Sequence, residues 1–534
     1  MKGQRFILLG LVGFISFLSG GWLLQRGMQE GGNVYQKARL FDDVLGYVSE
    51  YYVDSISESD LYDMAIDGLL NELDDPYTGF LREEDFRELK ESTTGNYGGL
   101  GIRIDVRDGW ITIVAPIAGT PAAEAGLTTG DRIVEVEGES TYGWSNDKAV
   151  EVLRGEPGTQ VNIAIARPGI GEVIPYTLAR AKIHITAVQL ATVLEGDVGY
   201  ISLVNSYVSE TLESELIEAI DGLNAEGATS LILDLRYNPG GLLDQGVAVS
   251  DLFLNKGDEV VATKGRGRGM SDTFLAKSPE RWPDLPMVVL VNQGTASASE
   301  IIAGALQDHD RALVVGTPTY GKGLVQNVLA LGRYEALRLT TARWYTPSGR
   351  LIQRDREQQQ LLARGQDVGP GDTTTVFKTD GGRAVYGGGG IRPDLFVAAD
   401  TLTTSEQEFV RTLGAKLPAY RDVMTSYALE LKASNANATR PVRVTAQMRA
   451  EILRRMRGKE VEITDEQWAG ARGLVDQQLG YEIERYVFGR ESESLRRIGD
   501  DPQVQTAIEL LMQADSPDEV FLLAAASKEG SRSP

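Results

Sequence analysis

The side chains best suited to catalysis lie in two short segments of the sequence. Ser297 follows an apolar run and opens a predicted helix, and Lys322 lies 25 positions later between two glycines. A serine hydroxyl becomes a nucleophile when a neighbouring base takes its proton, and a neutral lysine amine is such a base. A free lysine has a pKa of about 10.4, whereas a general base works best at about 7–8, so Lys322 must be partly desolvated to act.

The same residues allow simpler interpretations, which stay open at this point. Ser297 and Glu300 have the spacing of a capping box, so this segment alone favours a helix cap worth about 1 kcal/mol. Ser299 is a competing nucleophile two positions away. Gly316–Lys322 imitates the phosphate loop G-x-x-x-x-G-K, but Gly323 stands where Mg²⁺ needs serine or threonine, so nucleotide binding is disfavoured.

Two glycine-rich turns offer backbone N–H groups to anions. Gly240 and Gly241 end a segment that starts at Asp234 in a predicted buried strand, and ligands of open α/β sheets bind at this end of the strands. Between Tyr97 and Ile102, successive N–H groups form a nest that suits a carboxylate. An ordinary strand-to-helix turn and an ordinary hairpin turn are the respective alternatives.

The surroundings of the second turn favour carboxylate binding. Downstream of it come Pro121–Leu127, Gly130–Ile133 and a predicted helix at Asn146–Arg154. This order resembles a PDZ domain, in which a peptide adds as a strand to an exposed sheet edge and the turn holds its terminal carboxylate. The resemblance places the carboxylate at Gly99, Leu100, Gly101 and Ile102.

The four segments together, in this order and spacing, resemble the carboxyl-terminal processing peptidases, also called tail-specific proteases. The resemblance covers about Val34 to Ala399. It implies a serine-type endopeptidase in which Ser297 is the nucleophile, Lys322 is the general base and Gln326 orients the lysine.

The resemblance also assigns the groups around this Ser/Lys dyad. It implies an oxyanion hole at the backbone N–H groups of Ala298, Gly240 and Gly241, and a role for Arg154 in coupling PDZ occupancy to catalysis. The expected partners are protein or peptide substrates with free, unstructured C-termini, which the PDZ domain captures and the serine cleaves through an acyl-enzyme. The alternative is a catalytically inactive PDZ scaffold, against which the intact spacing of the catalytic residues argues.

Composition excludes several other chemistries. The 534 residues include no cysteine and only two histidines, which removes disulfides, thiolate catalysis and cysteine-based metal sites and leaves lysine as the natural base. No metal or cofactor is expected, and His309, in a polar stretch, is expected at the surface. The formal net charge of −23, with no basic stripe to offset it, argues against a nucleic-acid partner.

The elements that must hold these residues follow from hydrophobic periodicity. Apolar runs at Met287–Val291 and Ala312–Val315, with a helical run from Ala298 to Gln307 between them, predict a strand–helix–strand crossover in a parallel sheet. The predicted fold class is multidomain α/β. The resemblance implies a crotonase- or ClpP-like peptidase core with an inserted PDZ domain, an N-terminal helical segment and a C-terminal helical extension. The predicted divisions are a signal or membrane anchor at 1–30, an N-terminal helical region at 31–92, the PDZ domain at 93–182, the serine peptidase core at 183–400, the helical extension at 401–526 and a disordered tail at 527–534.

The N-terminus has the pattern of an export signal. Lys2 and Arg5 precede an apolar run from Phe6 to Leu24 that is long enough to span a bilayer. The positive charges keep the N-terminus inside and send the rest of the chain out. We therefore expect an exported, extracytoplasmic protein at the periplasmic face, anchored to the inner membrane by this segment or released if the segment is cleaved. A homo-oligomer is left open.

Overall fold

A computed structural model of the protein describes residues 34–363, 375–434, 440–459 and 461–530. The predicted anchor lies outside these ranges, and export and membrane attachment stay predictions that cell fractionation tests. No helix in the described ranges is long and apolar enough to cross a membrane. The chain divides into a smaller unit, Met1–Phe86 with Gln326–Thr340, and a larger unit, Arg87–Val325 with Thr341–Pro534.

The smaller unit is mainly helical. Its elements are α1 (34–51), α2 (Glu58–Asn71), β1 (Gly79–Leu81), the start of α3 (Glu83–Thr94), which leads into the larger unit, and the strand segments at 326–330 and 336–340. Ser57 caps α2 by accepting a hydrogen bond from the Asp60 N–H at 3.1 Å. β1 pairs antiparallel with Ala336–Arg338. The sequence did not predict β1, because three residues are too few to show an alternating pattern.

The larger unit begins with an antiparallel sheet and two short helices, in the region predicted as a PDZ domain. Its elements are β2 (Asn96–Gly99), β3 (Ile102–Arg107), β4 (Trp110–Pro116), α4 (Pro121–Glu124), β5 (Arg132–Val136), β6 (Glu139–Ser140), α5 (Asn146–Leu153), β7 (Gln160–Ala166), β8 (Val173–Ala179) and β9 (Ala181–His184). The strand order is β3-β4-β5-β7-β8, with β6 on β5 and with β2 paired separately to β9. β3 is therefore an edge strand of the described sheet.

A central, mostly parallel sheet follows. The elements of this region are β10 (Leu190–Leu194), β11 (Val198–Ser202), α6 (Leu212–Ala225), β12 (Ser230–Asp234), α7 (Leu243–Asp251), β13 (Glu259–Gly265), β14 (Asp272–Leu275), β15 (Met287–Val291), α8 (Ala298–Asp308), β16 (Leu313–Gly316), β17 (Leu324–Ala330), β18 (Ala336–Tyr345), α9 (Arg356–Ala363), β19 (Val376–Lys378), β20 (Ala384–Tyr386) and β21 (Leu395–Phe396). The order is β10-β11-β12-β15-β16-β21, and only β10 is antiparallel to its neighbour. The predicted crossover of β15, α8 and β16 is confirmed.

The C-terminal extension is helical, as predicted. Its helices are α10 (Thr404–Leu413), α11 (Leu417–Ala433), α12 (Ala446–Gly458), α13 (Asp465–Gly470), α14 (Arg472–Ile483), α15 (Arg490–Gly499), α16 (Pro502–Leu511) and α17 (Pro517–Gly530). α17 continues to Gly530, into the segment predicted to be a disordered tail.

Both faces of the central sheet are covered, which explains why its strands are apolar throughout. Alternate residues of a strand point to opposite sides. On one side, Met287 and Val289 belong to the core that contains α6, α7 and α8. On the other side, Val288 and Leu290 share a core with Val504 of α16 and with α17. Helices of the C-terminal extension therefore cover one face of the central sheet.

His309, at the C-terminal end of α8, is not the surface residue that the sequence indicates. Its side chain is only 12% exposed. Nδ1 lies 2.7 Å from the Asp380 carboxylate, and Nε2 lies 2.7 Å from the Glu259 carbonyl oxygen. The expectation fails because residues distant in sequence fold over both ring nitrogens.

These contacts make part of the stability depend on pH. Burial alone lowers the pKa of His309, but the hydrogen bonds to Glu259 and Asp380 favour the cation, and the pKa is raised overall. The stabilisation is therefore complete below the unfolded pKa of about 6.5 and is lost as the pH rises through the raised pKa. We expect His309→Gln to lower the free energy of unfolding by about 1 kcal/mol more at acidic than at alkaline pH. Urea unfolding of both proteins at pH 5.5 and 8.5 measures this, and equal losses would contradict it.

Candidate active site

Ser297 occupies the turn between β15 and α8 in a strained conformation. Its backbone angles are φ 54° and ψ −120°, outside the regions that L-residues usually adopt. Helix caps elsewhere in the chain, such as Ser57, Ser145 and Thr403, have extended backbones. Strain of this kind costs of order 1–3 kcal/mol and clusters at functional sites. The backbone of Ser297 therefore departs from that of an ordinary cap.

The two serines of this turn differ in exposure. Ser297 is half-buried, whereas Ser299 is fully buried. The Ser299 hydroxyl donates a hydrogen bond to Asn238 Oδ1 at 2.7 Å. Of these two serines only Ser297 is therefore open to a substrate, which favours Ser297 over Ser299 as the nucleophile.

Lys322 lies in a loop whose backbone is fixed. Its carbonyl accepts a hydrogen bond at 2.9 Å from Nε1 of the buried Trp344. Gly321 has φ 85°, and a Cβ atom there would lie 2.9 Å from the Cβ of Arg354, which leaves no room for a larger side chain. The residues that follow form β17, whereas a phosphate loop leads into a helix, so the nucleotide-binding alternative gains no support.

Glu300 brings the nucleophile turn and the lysine loop together. A single oxygen, Oε2, accepts the backbone N–H of Ser297 and that of Lys322, each at 2.9 Å. The two backbone nitrogens therefore lie at most 5.8 Å apart, twice the length of one hydrogen bond. Residues 25 positions apart in the sequence are thus neighbours, which is a condition for the predicted dyad.

The Glu300 carboxylate is completely buried and is surrounded by donors. Its other oxygen, Oε1, accepts the Thr319 hydroxyl at 2.5 Å and the Gly321 N–H at 2.7 Å. Burial raises the pKa of Glu300, and the hydrogen bonds oppose that rise. The sequence indicated Glu300 only as a capping partner. The available signal was an acidic residue in the first turn of a mostly apolar helix, because a buried carboxylate there needs hydrogen-bond donors from other segments.

The turn that ends at Gly241 packs against the backbone of Ser297. A Cβ atom on Gly240 would lie 2.9 Å from Ser297 Cβ and 2.7 Å from the nitrogen of Ala298, so the approach requires glycine. The N–H of Gly240 already donates to Asn238 Oδ1 at 3.0 Å. Within the described ranges, the N–H groups of Gly241 and Ala298 have no hydrogen-bond acceptor. Two of the three predicted oxyanion donors are thus unengaged in this part of the chain.

The described contacts of Gln326 leave its predicted role untested. Gln326 lies on β17 in the smaller unit, and its Nε2 is 3.5 Å from Thr340 Oγ1 on β18. Its predicted contact with Lys322 stays a prediction. In the described part of the chain, no group of three or more His, Asp or Glu side chains is arranged to hold a metal ion.

The predicted carboxylate nest lies at the start of the edge strand β3. Gly99 ends β2, and Ile102 begins β3. Gly101 has φ 75°, and a Cβ atom there would lie 2.3 Å from Thr120 Cβ, so the position requires glycine. Leu100 is buried in the core of this sheet. No described residue accepts the N–H groups of Leu100 and Gly101, which leaves them available to an anion.

Arg154 follows α5 and contacts the segment that precedes this nest. Its Nη1 lies 2.5 Å from the Glu91 carboxylate, and its guanidinium lies 4.7 Å from the centre of the Tyr97 ring. Burial raises the pKa of Glu91, and the charge of Arg154 partly opposes this. These contacts tie α5 to α3, while the coupling role of Arg154 stays a prediction.

A cavity of about 1520 Å³ lies at the carboxyl-terminal edge of the central sheet. Arg103 and Arg154 line it from the PDZ-like region, and Gln477 lines it from the extension. Tyr237 and Asn292 line it from the peptidase core, and the Tyr237 N–H donates to Asn292 Oδ1 at 2.9 Å. The cavity therefore reaches the glycine turn that packs against the nucleophile, although the dyad itself does not line it.

Known proteins resemble this chain over most of the regions described above. Residues 197–359 match peptidase family S41, residues 112–167 match a PDZ domain, and residues 24–85 match the N-terminal domain of activating protease CtpB. A carboxy-terminal-processing protease of Bartonella bacilliformis is 41% identical over 325 residues, 60% of this chain and 74% of the relative. The carboxy-terminal processing protease CtpA of Bacillus subtilis is 36% identical over 319 residues, which cover 60% of this chain and 67% of that protein. A solved photosystem II D1 C-terminal processing protease is 32% identical over 58% of this chain and 88% of that one, with a TM-score of 0.33.

A mixed α/β peptidase core that carries a PDZ domain defines a class of serine proteases. The chain belongs to the carboxy-terminal processing proteases of peptidase family S41. It is thus an enzyme. The predicted fold class is confirmed, with an S41 core, a PDZ domain, an N-terminal segment and C-terminal helices.

Proposed function

We propose that the protein hydrolyses peptide bonds with a Ser297/Lys322 dyad through an acyl-enzyme, and that its PDZ domain captures the free C-terminus of the substrate. One observation carries the proposal: a single carboxylate oxygen of Glu300 accepts the backbone N–H of both dyad residues. A dyad needs its two residues side by side, and this contact supports that arrangement.

In the proposed reaction, the neutral Nζ of Lys322 accepts the proton of the Ser297 hydroxyl as Oγ attacks the scissile carbonyl carbon. The carbonyl oxygen becomes an oxyanion, which the N–H groups of Ala298 and Gly241 and the N-terminal dipole of α8 stabilise. Collapse of this intermediate passes the proton from Lys322 to the leaving nitrogen and leaves an ester on Ser297. Lys322 then takes a proton from a water that attacks the ester, and the acid is released as the serine regains its proton.

Two further residues support the dyad in this proposal. Gln326 orients the amine of Lys322 without adding a negative charge, which would raise the pKa of the lysine. Gly240 acts by its size, because its N–H is engaged by Asn238 and its missing Cβ lets the turn approach Ser297.

The cavity supplies a route for the substrate in this proposal. A carboxylate bound at the nest beside Gly101 leaves the rest of the peptide to pair with the open edge of β3. The cavity extends from Arg103, on that strand, to Tyr237 beside the glycine turn.

A cleavage assay tests the proposal. The wild-type protein is incubated with a substrate that has an unstructured, apolar C-terminal tail, and the fragments are analysed by mass spectrometry.

Blocking the terminal carboxylate of a substrate should weaken its binding to the PDZ domain. Hydrogen bonds to a charged group are worth about 1.5–3 kcal/mol, so an amidated peptide should bind roughly 10-fold or more weakly than the free acid. Titration of a fluorescent peptide in both forms measures this. The same peptide acetylated at its N-terminus is the matched control, because it loses a charge at the other end. Equal affinity of the amide and the acid would contradict carboxylate capture.

A further inference from the structure

Glu300 does more than cap α8: we propose that it is the positioning residue of the dyad, fixing the lysine loop against the nucleophile turn. The proposal rests on the Ser297/Lys322 chemistry proposed above. It concerns a residue that neither touches the substrate nor transfers a proton.

The contacts of Glu300 exceed what a helix cap requires. A capping residue at this position needs only the Ser297 N–H, which Oε2 accepts. Three further donors come from the loop that carries the base: the Thr319 hydroxyl and the N–H groups of Gly321 and Lys322. The carboxylate is therefore a cross-link between two segments, with one oxygen bound to both.

Arg354, on the segment that follows β18, lies close enough for its charge to interact with that of Glu300. The two oxygens of Glu300 accept four donors, and these hydrogen bonds favour the ionised carboxylate against the effect of burial. Arg354 is only 2% exposed, and its guanidinium donates to the carbonyls of Thr319 and Tyr320 at 3.1 and 3.2 Å. Burial lowers the pKa of Arg354, and the charge of Glu300 raises it. This pairing matters because an unbalanced anion beside Lys322 would favour the protonated lysine, which is not a base.

Loss of this cross-link should slow the chemical step more than it weakens binding. Displacing a catalytic group by about 1 Å can cost roughly 100-fold in rate. The carboxylate nest and the cavity do not include Glu300, so the substrate concentration at half-maximal rate should change little.

Labelling with a fluorophosphonate separates positioning from folding. Ser297 Oγ forms the bond to phosphorus, fluoride leaves, and Lys322 takes the serine proton. Glu300→Gln keeps the shape of the side chain but turns an NH₂ group toward the donors. We expect this variant to label to the wild-type end point with a rate constant roughly 10- to 100-fold lower, and kcat for peptide cleavage to fall in parallel with little change in KM. A merely structural defect would lower the end point and leave the rate constant of the folded molecules unchanged.

Glu406→Gln is the matched control. Glu406 makes the same capping contact at α10, where its carboxylate accepts the Thr403 N–H at 2.9 Å, so this variant should label at the wild-type rate. If Glu300→Gln does not fold, Thr319→Val removes one donor from the same carboxylate and should slow labelling by a smaller factor at an unchanged end point. A wild-type rate constant of labelling in Glu300→Gln would overturn the positioning role. If Glu300→Gln does not fold, a wild-type rate constant in Thr319→Val would overturn it. Failure of wild-type Ser297 to label would instead overturn the proposed dyad.

Discussion

Replacing Ser297 by alanine should abolish peptide cleavage while the protein stays folded. Loss of a serine nucleophile typically lowers kcat by roughly 10⁴- to 10⁶-fold, because no other group forms the acyl-enzyme. If Ser297 only capped α8, the same change would instead lower stability by about 0.5–2 kcal/mol and leave the activity of each folded molecule intact. Cleavage rates measured together with thermal melting of both proteins distinguish these outcomes.

Ser299→Ala is the control for the choice of serine. Ser299 is fully buried and bound to Asn238, so its loss should cost about 1 kcal/mol of stability and retain cleavage. Full activity in Ser297→Ala with loss in Ser299→Ala would show that the wrong serine was chosen. Full activity in both would remove the proposed mechanism.

Replacing Lys322 by alanine should cause a loss similar to that of Ser297→Ala. The dyad acts as a unit, so the double variant should be no worse than either single one. Lys322→Arg is a sharper test, because arginine keeps the charge but has a far higher pKa than lysine and is not a base at neutral pH. Both variants should therefore be inactive. Steady-state cleavage at saturating substrate measures the effect.

Lys256→Ala is the matched control for the lysine series, since Lys256 is exposed and lies outside the site. It should cleave at the wild-type rate. Substantial activity in Lys322→Arg would contradict the role of Lys322 as a base and would point to a charge role instead.

Many helices and strands could be predicted from the sequence, because their hydrophobic patterns involve residues close together in the chain. Apolar runs and the 3.6-residue period predicted β15, α8 and β16. The Ser297/Lys322 dyad was implied by the family resemblance and stays a prediction. The sequence showed a glycine turn at Gly240 and a glycine on each side of Lys322. The structure explains two of these glycines, because Gly240 packs against the backbone of Ala298 and Gly321 packs against the side chain of Arg354.

Other features depended on residues far apart in sequence, and no local pattern contains them. Glu300 looked like a capping partner, because its contacts with Thr319 and Lys322 exist only after the lysine loop folds over α8. His309 looked solvated among acidic neighbours, yet Asp380 and the Glu259 carbonyl enclose it. The helical extension was predicted, but its sequence pattern could not show that α16 covers a face of the central sheet.

Locating the residue that reacts with a fluorophosphonate tests the central claim most directly. The labelled protein is digested, and mass spectrometry identifies the modified peptide and the modified side chain within it. We predict a single label on Ser297, absent from Ser297→Ala, retained in Ser299→Ala and formed far more slowly in Lys322→Ala. A label on Ser299 or on any other residue would contradict the proposed dyad. Peptide cleavage by Ser297→Ala at the wild-type rate would contradict it as well.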